Sequence, residues 1–242
     1  MIKFFRKIRQ KLLSENNLSK YLFYVFGEIF LVVIGILIAL QINNWNDERK
    51  NRNKEYKLLT EMHGNLKTDS IDMAGNIARN TSVLISAEAI QNQLENRITW
   101  NDSMAVHYSH LNTYLSKIAI VRSSYENLKS IGFDLIENDS LRGKIHELYA
   151  QQYPFVVRME SEHIEEMKYS ILLPQLISKV KRIDERKSKP LDLNALMNDN
   201  SFKETINLYI LTQKGFIGLY QNLQQLQYEL IGMIEQEIKI KK

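Results

Sequence analysis

The sequence predicts an all-α protein with three parts: an N-terminal amphipathic helix at residues 1–20, one transmembrane helix at 21–42, and an extramembrane antiparallel helical bundle at 43–242. Three observations predict it. An apolar run of 22 residues lies near the N-terminus, only three prolines and nine glycines interrupt the chain, and no alternating β-pattern persists for a strand's length. We expect the first and last bundle helices to be long and coiled-coil-like.

The leader, residues 1–20, holds six basic residues and one acidic residue. On a helical wheel, its apolar side carries Met1, Phe4, Phe5, Ile8 and Leu12. The opposite, basic side carries Lys3, Arg6, Lys7 and Lys11. Two interpretations stay open: a basic helix that lies on an anionic membrane surface, and a positive region that only directs insertion.

The span, Tyr21–Ile42, is about 33 Å long as a helix, which matches the hydrocarbon thickness of a bilayer. A cleaved signal peptide has a shorter apolar region, and Ala39-Leu-Gln41 offers no small-residue cleavage site. A soluble helix usually keeps one polar face, whereas Ile29–Leu40 is apolar on every side. We therefore interpret the span as an uncleaved signal anchor.

An acidic residue within the span, Glu28, lies roughly 10 Å deep in the predicted membrane. Ionisable groups at such depth are costly and usually face protein or water. On a helical projection at 100° per residue, Glu28 lies on the same side of the helix as several small and aromatic residues. We predict that this side is a helix-packing face made of Tyr24, Glu28, Gly35 and Ala39, and Tyr21 extends it. Self-association or docking to another membrane helix is the hypothesis; a lone helix that tolerates Glu28 near the interface is the alternative.

Basic residues flank both ends of the span, six in the leader and five in residues 43–62. The positive-inside rule therefore leans only slightly toward a cytoplasmic N-terminus. A signal anchor with a short basic leader favours the same orientation. The prediction is a single-pass protein of the bacterial inner membrane with a periplasmic C-terminal domain.

The first bundle helix is predicted from Asn46 to the Glu95–Trp100 region, with a break at Thr68–Ser70. A second helix is predicted over Asp102–Val121. Apolar residues of the first helix recur at intervals of seven, in the two series Leu59, Leu66, Met73 and Ile77, Leu84.

Capping signals delimit the next two helices. Ser123 and Glu126 form a capping box and Gly132 a left-handed stop, which predicts a helix over Ser124–Ile131. Asn138 is the predicted N-cap of the following helix. That helix should turn Leu141, Ile145 and Leu148 inward, be kinked or broken by Pro154, and have its continuation ended by Pro174.

The polar stretch Asp184–Asn200 is predicted to be an exposed loop, followed by a capping box at Ser201 and Glu204. The long final helix after it carries an apolar strip at alternating spacings of three and four: Phe216, Leu219, Leu223, Leu226, Leu230 and Met233. We favour the interior of a bundle as its environment, and a dimer seam is the alternative.

Candidate chemistry is sparse. His107 and His110 could share a helical face as metal ligands, and Glu160 with His163 forms one Glu-x-x-His pair, whereas a di-iron bundle needs two. We interpret these histidines as solvated or capping and the glutamates of 160–166 as a solvated face. No phosphate-binding loop, nucleophile elbow or cysteine is present. We therefore predict no catalytic residue, metal or cofactor.

All of the net positive charge lies in the leader, which carries +5, because the span carries −1 at Glu28 and residues 43–242 hold 26 basic and 26 acidic residues. They show no interleaved basic and aromatic cluster either. Nucleic-acid binding is therefore not expected.

Three runs of sequence carry a family resemblance: the leader MIKFFRKIRQKLL, the span GEIFLVVIGILIALQINNWN from Gly27 to Asn46, and SYENLKSIGFDLIENDSLRGKI from Ser124 to Ile145. They resemble an uncharacterised, domain-of-unknown-function family of single-pass membrane proteins from Gram-negative bacteria. The resemblance implies the anchor, and it implies no activity, cofactor or catalytic residue.

The leading functional hypothesis is a non-catalytic, membrane-anchored helical interaction or scaffold protein that self-associates or joins a partner complex. The alternative is a periplasmic helical module that binds a small-molecule ligand or senses envelope stress. A metal-dependent enzyme is the third hypothesis.

Overall fold

The computed structural model describes residues 18–113 and 115–241. The chain divides into two compact units, the first ending at Lys54 and the second beginning at Glu55. The described residues are almost all helical, and they include one two-stranded hairpin.

Helix α1 spans Leu18–Glu95, 78 residues, and contributes to both units. Its end matches the prediction, but the predicted break at Thr68–Ser70 is absent. The Thr68 hydroxyl donates to the Gly64 carbonyl at 3.2 Å, and that of Ser70 to the Lys67 carbonyl at 2.9 Å. These polar side chains therefore bond back to the preceding turn instead of competing with the helix.

Helix α2 is short, Met104–His110, and a turn at Leu111 and Asn112 follows it. Residues 115–121, here called the irregular segment, lie in neither a helix nor a strand. The predicted helix over Asp102–Val121 is therefore wrong beyond His110. Backbone N–H groups of the irregular segment donate to carboxylates of other helices instead of to carbonyls four residues back. Tertiary bonds thus override local helix propensity.

Helix α3 covers Ser123–Ile131 and is followed by a 3₁₀ turn at Phe133–Leu135. The predicted Ser123 cap is wrong, because the Ser123 hydroxyl donates to Glu61 at 3.2 Å and the N-cap residue is Arg122. Gly132 ends the helix with a positive φ of 112°, as predicted, although its ψ of 139° lies outside the left-handed helical region.

A second long helical stretch begins with α4, Asp139–His146, where Asn138 accepts from the Leu141 N–H at 3.1 Å as predicted. It continues through a π-helical segment at Glu147–Gln152, helix α5 at Tyr153–Met159, a second π-helical segment at Glu160–Leu172, and helix α6 at Leu173–Lys179.

Pro154 and Pro174 do not end this stretch, which corrects the prediction for Pro174. Each proline is the second residue of an α-helical segment that follows a π-helical one. Proline is tolerated in a first turn, so the helix runs on after each change of helical geometry.

The predicted loop at Asp184–Asn200 contains a short strand and a short helix, so the prediction is wrong there. Strands β1, Val180–Arg182, and β2, Ser188–Pro190, pair antiparallel, and helix α7 covers Leu193–Met197. Helix α8 then spans Asn200–Lys241. The predicted Ser201 capping box is wrong, because the Asp199 carboxylate accepts from the Phe202 N–H at 3.0 Å and caps the helix.

Two apolar clusters form the core of the second unit. The first packs Leu59, Leu66 and Met73 of α1 against α4 and α8. From the predicted strip on α8 it buries Phe216, Leu223 and Leu230 fully and Leu219, Leu226 and Met233 partly. The second joins the end of α1 to α2, α6, α7 and the start of α8. Packing within the chain therefore covers the apolar strip on α8, and no dimer seam is needed to bury it.

Candidate functional site

One helix among the described residues is long and apolar enough to cross a membrane, judged by length and composition. In the apolar segment of this helix, residues 22–42, large apolar side chains such as Phe23 and Leu31 are exposed. None of its most apolar 18-residue window is buried within the described structure. A core helix of a soluble protein is mostly buried, so this segment does not behave as one.

The predicted helix-packing face lies on this segment of α1. Tyr24 belongs to the helix, and its side chain lies outside the described part of the structure. Glu28 is half-buried, whereas Gly35 and Ala39 are exposed. A Cβ atom added to Gly35 would meet nothing within 4 Å, so the backbone there is open to a close neighbour. The predicted basic face, Lys3, Arg6, Lys7 and Lys11, lies outside the described residues.

In the second unit, three buried or half-buried carboxylates bind the irregular segment, residues 115–121. The N–H of Ile118 donates to Glu160 at 3.0 Å, that of Ala119 to Asp72 at 3.1 Å, and that of Val121 to Asp69 at 2.9 Å. The acceptors lie on α1 and on the second π-helical segment. These hydrogen bonds therefore attach the segment to α1 and to the second π-helical segment.

Two of these carboxylates are deeply buried, Asp69 at 2% exposed and Glu160 at 3%. Asp69 also accepts from the Tyr153 hydroxyl at 3.1 Å, and Glu160 from the Tyr220 hydroxyl at 2.6 Å. Burial raises the pKa of Asp69 to about 6 and also raises the pKa of Glu160, although the hydrogen bonds partly oppose it.

A cavity of about 340 Å³ opens between α2, the second π-helical segment and the hairpin. Its volume falls in the range of small-molecule sites. The cavity is lined by Ser109, Asn112, Thr113, Lys168, Tyr169, Leu173, Arg182 and Glu185. Two of the lining side chains are cationic and one is acidic.

Lys168 is the most unusual member of this lining, because its side chain is only 2% exposed. Its ammonium donates to the Leu111 carbonyl and lies 5.7 Å from the centre of the Tyr209 ring. No carboxylate of the described residues lies within 4.0 Å of Lys168 Nζ. Burial accordingly lowers the Lys168 pKa to about 8.

A second cavity, of about 330 Å³, is lined in part by Arg79, His110 and Tyr209. The Nδ1 atoms of His107 and His110 both face the Ser86 hydroxyl, at 3.2 and 2.8 Å. Burial, and then the nearby His110, lower the pKa of His107. Within the described ranges no group of three or more His, Cys, Asp or Glu side chains could hold a metal ion.

Glu160 and His163 do not form a shared ligand pair, because Glu160 is buried against Tyr220 whereas His163 is exposed. The predicted solvated glutamate face is therefore wrong at Glu160. The inward direction of Lys168 was also missed. A signal existed, since Glu160 and Lys168 lie four residues before and after the buried Ile164, on one helical stripe.

Comparison with known proteins finds one family. The model of a family of unknown function, DUF6090, matches residues 28–172, which is more than half of the chain. The match includes the run at Ser124–Ile145 and all but the first residue of the run Gly27–Asn46, and it excludes the leader. No curated protein and no solved structure matches the chain. The chain belongs to the DUF6090 family.

Proposed function

We propose that this DUF6090 protein is a single-pass protein of the bacterial inner membrane whose helical domain serves as a non-catalytic interaction or scaffold module. The observation that carries the proposal is the contrast between the two units. The apolar segment of α1 buries none of its 18-residue window, whereas residues 55–241 enclose two apolar clusters of their own. The segment needs an apolar environment that the described chain does not supply.

The proposed orientation places the N-terminus in the cytoplasm and residues 43–242 in the periplasm. The chain has no cysteine, so a single exposed thiol can report on it. Ser178→Cys, at an exposed position of α6, should react with a membrane-impermeant maleimide in intact spheroplasts. Labelling only after lysis would place the domain in the cytoplasm and overturn this orientation.

Within the membrane, we propose that the helix contacts a second copy of itself or a partner helix. The contact surface is the face of Tyr24, Glu28, Gly35 and Ala39. Open space above Gly35 supports it, since small residues allow helix backbones to approach closely in lipid. Gly35→Leu should abolish the signal of a transmembrane dimerisation reporter.

Gly27→Leu is the matched control for this test, because Gly27 also has open space around it but lies about 80° around the helix from Gly35. It should leave the reporter signal unchanged. Equal signals from the wild type and Gly35→Leu would remove self-association through this face and leave a heterologous partner as the form of the proposal to pursue.

A second function, binding of a small-molecule ligand, is favoured by the cavity beside Lys168. Its volume and its mixture of apolar and polar lining are typical of ligand sites. A ligand that binds the folded state should raise the unfolding temperature of the purified protein in a saturable manner. In the proposed orientation the cavity lies in the periplasm, so a protein that binds a ligand there would act as the periplasmic ligand-binding or stress-sensing module of the alternative hypothesis.

A further inference from the structure

Lys168 and Lys241 are both little exposed, and their surroundings differ. Lys241, 5% exposed at its side chain, lies 2.7 Å from Glu55, 3.0 Å from Glu137 and 3.4 Å from Glu237. Lys168, which is at least as buried, has only a backbone carbonyl and the face of a tyrosine ring. Buried charges in proteins are normally paired, so Lys168 lacks the anion that its counterpart has.

The space next to Lys168 is a cavity instead of packed side chains. A second cation, Arg182 of β1, lines the same cavity, and its Nε donates to the Asp184 backbone carbonyl at 3.1 Å. Arg182 makes no ion pair with a carboxylate in the part of the chain that the structure describes. Two cationic residues thus line one cavity, and neither forms an ion pair with a carboxylate of the described residues, although Glu185 also lines the cavity.

The lining also limits the charge of what can bind. Glu185 contributes one negative charge, so the cavity as a whole carries about one positive charge when Lys168 is protonated. A polyanion would meet repulsion from Glu185, whereas a single negative group would be neutralised. Tyr169 and Leu173 offer apolar contact, and Ser109, Asn112 and Thr113 offer hydrogen bonds.

We propose that this cavity binds a small molecule with one negative charge on a carboxylate or phosphate group, held by the ammonium of Lys168 and the guanidinium of Arg182. The inference rests on the ligand-binding function above and names the chemistry of its ligand. Lys168 lies in the π-helical segment Glu160–Leu172, a geometry that frequently occurs at functional sites. The lowered pKa of Lys168 agrees with a buried amine that has no anion beside it, because a bound anion would favour the charged form and raise the pKa.

The test uses the full chain in mild detergent and measures thermal unfolding at pH 7 and constant ionic strength. The probes are sodium butyrate, its neutral analogue butyramide, and dimethyl phosphate, which carries one negative charge at pH 7. Butyrate or dimethyl phosphate should raise the unfolding temperature in a saturable manner, and butyramide should not. The anion that acts decides between a carboxylate and a phosphate ligand.

Variants connect that shift to the two cations. Lys168→Met should fold, since it removes an uncompensated buried charge, and should lose the anion response. Arg182→Gln changes an exposed side chain and should raise the half-saturating concentration about tenfold. The control Lys189→Met removes an exposed lysine of the paired strand that does not line the cavity, and should respond like the wild type.

An anion response that survives unchanged in both Lys168→Met and Arg182→Gln would overturn the inference, and so would the absence of any anion response in the wild type. A shift produced by butyramide alone would overturn the anionic ligand while supporting a ligand site of another chemistry.

Discussion

The Asp69 carboxylate on α1 accepts a hydrogen bond from the Val121 N–H at 2.9 Å, across 52 residues of sequence. Its other oxygen accepts from the Tyr153 hydroxyl at 3.1 Å. One buried acid therefore joins three parts of the domain: α1, the irregular segment and α5. Its protonation state should be coupled to the stability of the whole domain.

The first prediction concerns pH. The Asp69 pKa is about 6 in the folded protein and near 3.8 without its surroundings, so the folded state binds more protons between these values. The Asp69 contribution is fully present below the lower value and is lost as the pH rises through 6, by up to about 3 kcal/mol in the free energy of unfolding. Asp69→Asn should flatten this decline in urea unfolding at pH 5, 6 and 7.

The matched control is Asp72→Asn, which removes a half-buried carboxylate that bonds the same segment through the Ala119 N–H. Desolvation is the largest cause of the raised Asp69 pKa, and the nearby charge of Asp72 adds a smaller effect in the same direction. Asp69→Asn should therefore flatten the decline strongly and Asp72→Asn only slightly. An unchanged slope in Asp69→Asn would assign the pH dependence to another group, of which Glu160 is the first to test, since burial raises its pKa as well.

The second prediction concerns the hydroxyl of Tyr220, which donates to Glu160 at 2.6 Å. Tyr220→Phe deprives a buried carboxylate of a hydrogen bond and should cost about 1.5–3 kcal/mol in denaturant unfolding at pH 7. It should also raise the Glu160 pKa further, because that bond opposes the effect of burial. Tyr228→Phe, at an exposed position of the same helix, should be neutral; equal losses in both variants would contradict the assignment.

The third prediction concerns the end of α8. Lys241→Met removes the cation within 2.7 Å of Glu55, whose side chain is only 1% exposed. An unpaired buried carboxylate costs about 3–5 kcal/mol, so the unfolding midpoint should fall strongly. Lys239→Met changes an exposed lysine two residues away and should cost less than about 0.5 kcal/mol. A Lys241→Met protein as stable as the wild type would show that the pair contributes nothing.

The fourth prediction compares two glycines. Gly132 has a φ of 112°, where a side chain is strained, so Gly132→Ala should destabilise the protein by roughly 1 kcal/mol or more. Gly215 lies within α8 and has open space around it, so Gly215→Ala should stabilise by about 0.5–1 kcal/mol. Calorimetric unfolding of the two variants checks these opposite signs, and shifts in the same direction would refute the comparison.

Much of the fold follows from local signals in the sequence. The spacing of seven at Leu59, Leu66 and Met73 predicted side chains that are buried in the first apolar cluster. Asn138 was recognised as a cap and Gly132 as a stop because each acts through its own backbone or through an N–H three residues away. Such features need no knowledge of distant parts of the chain.

The candidate ligand site was not predicted, because its parts are distant in sequence. Lys168 was overlooked among charged neighbours, and its environment is made by Leu111 and Tyr209 from other elements. Arg182 lines the cavity only because the hairpin forms, and strands of three residues are too short to leave an alternating pattern.

The sequence by itself determined the helical class, the apolar segment and the residues of the main helices that face a core, because apolar spacing and capping act over one or two turns. Only the tertiary structure decided that residues 115–121 form no helix and that Asp69, Glu160 and Lys168 are buried. N–H groups of this irregular segment bond to carboxylates 42 to 52 residues away. Bonds at that separation depend on how whole helices pack, and no local pattern of residues encodes them.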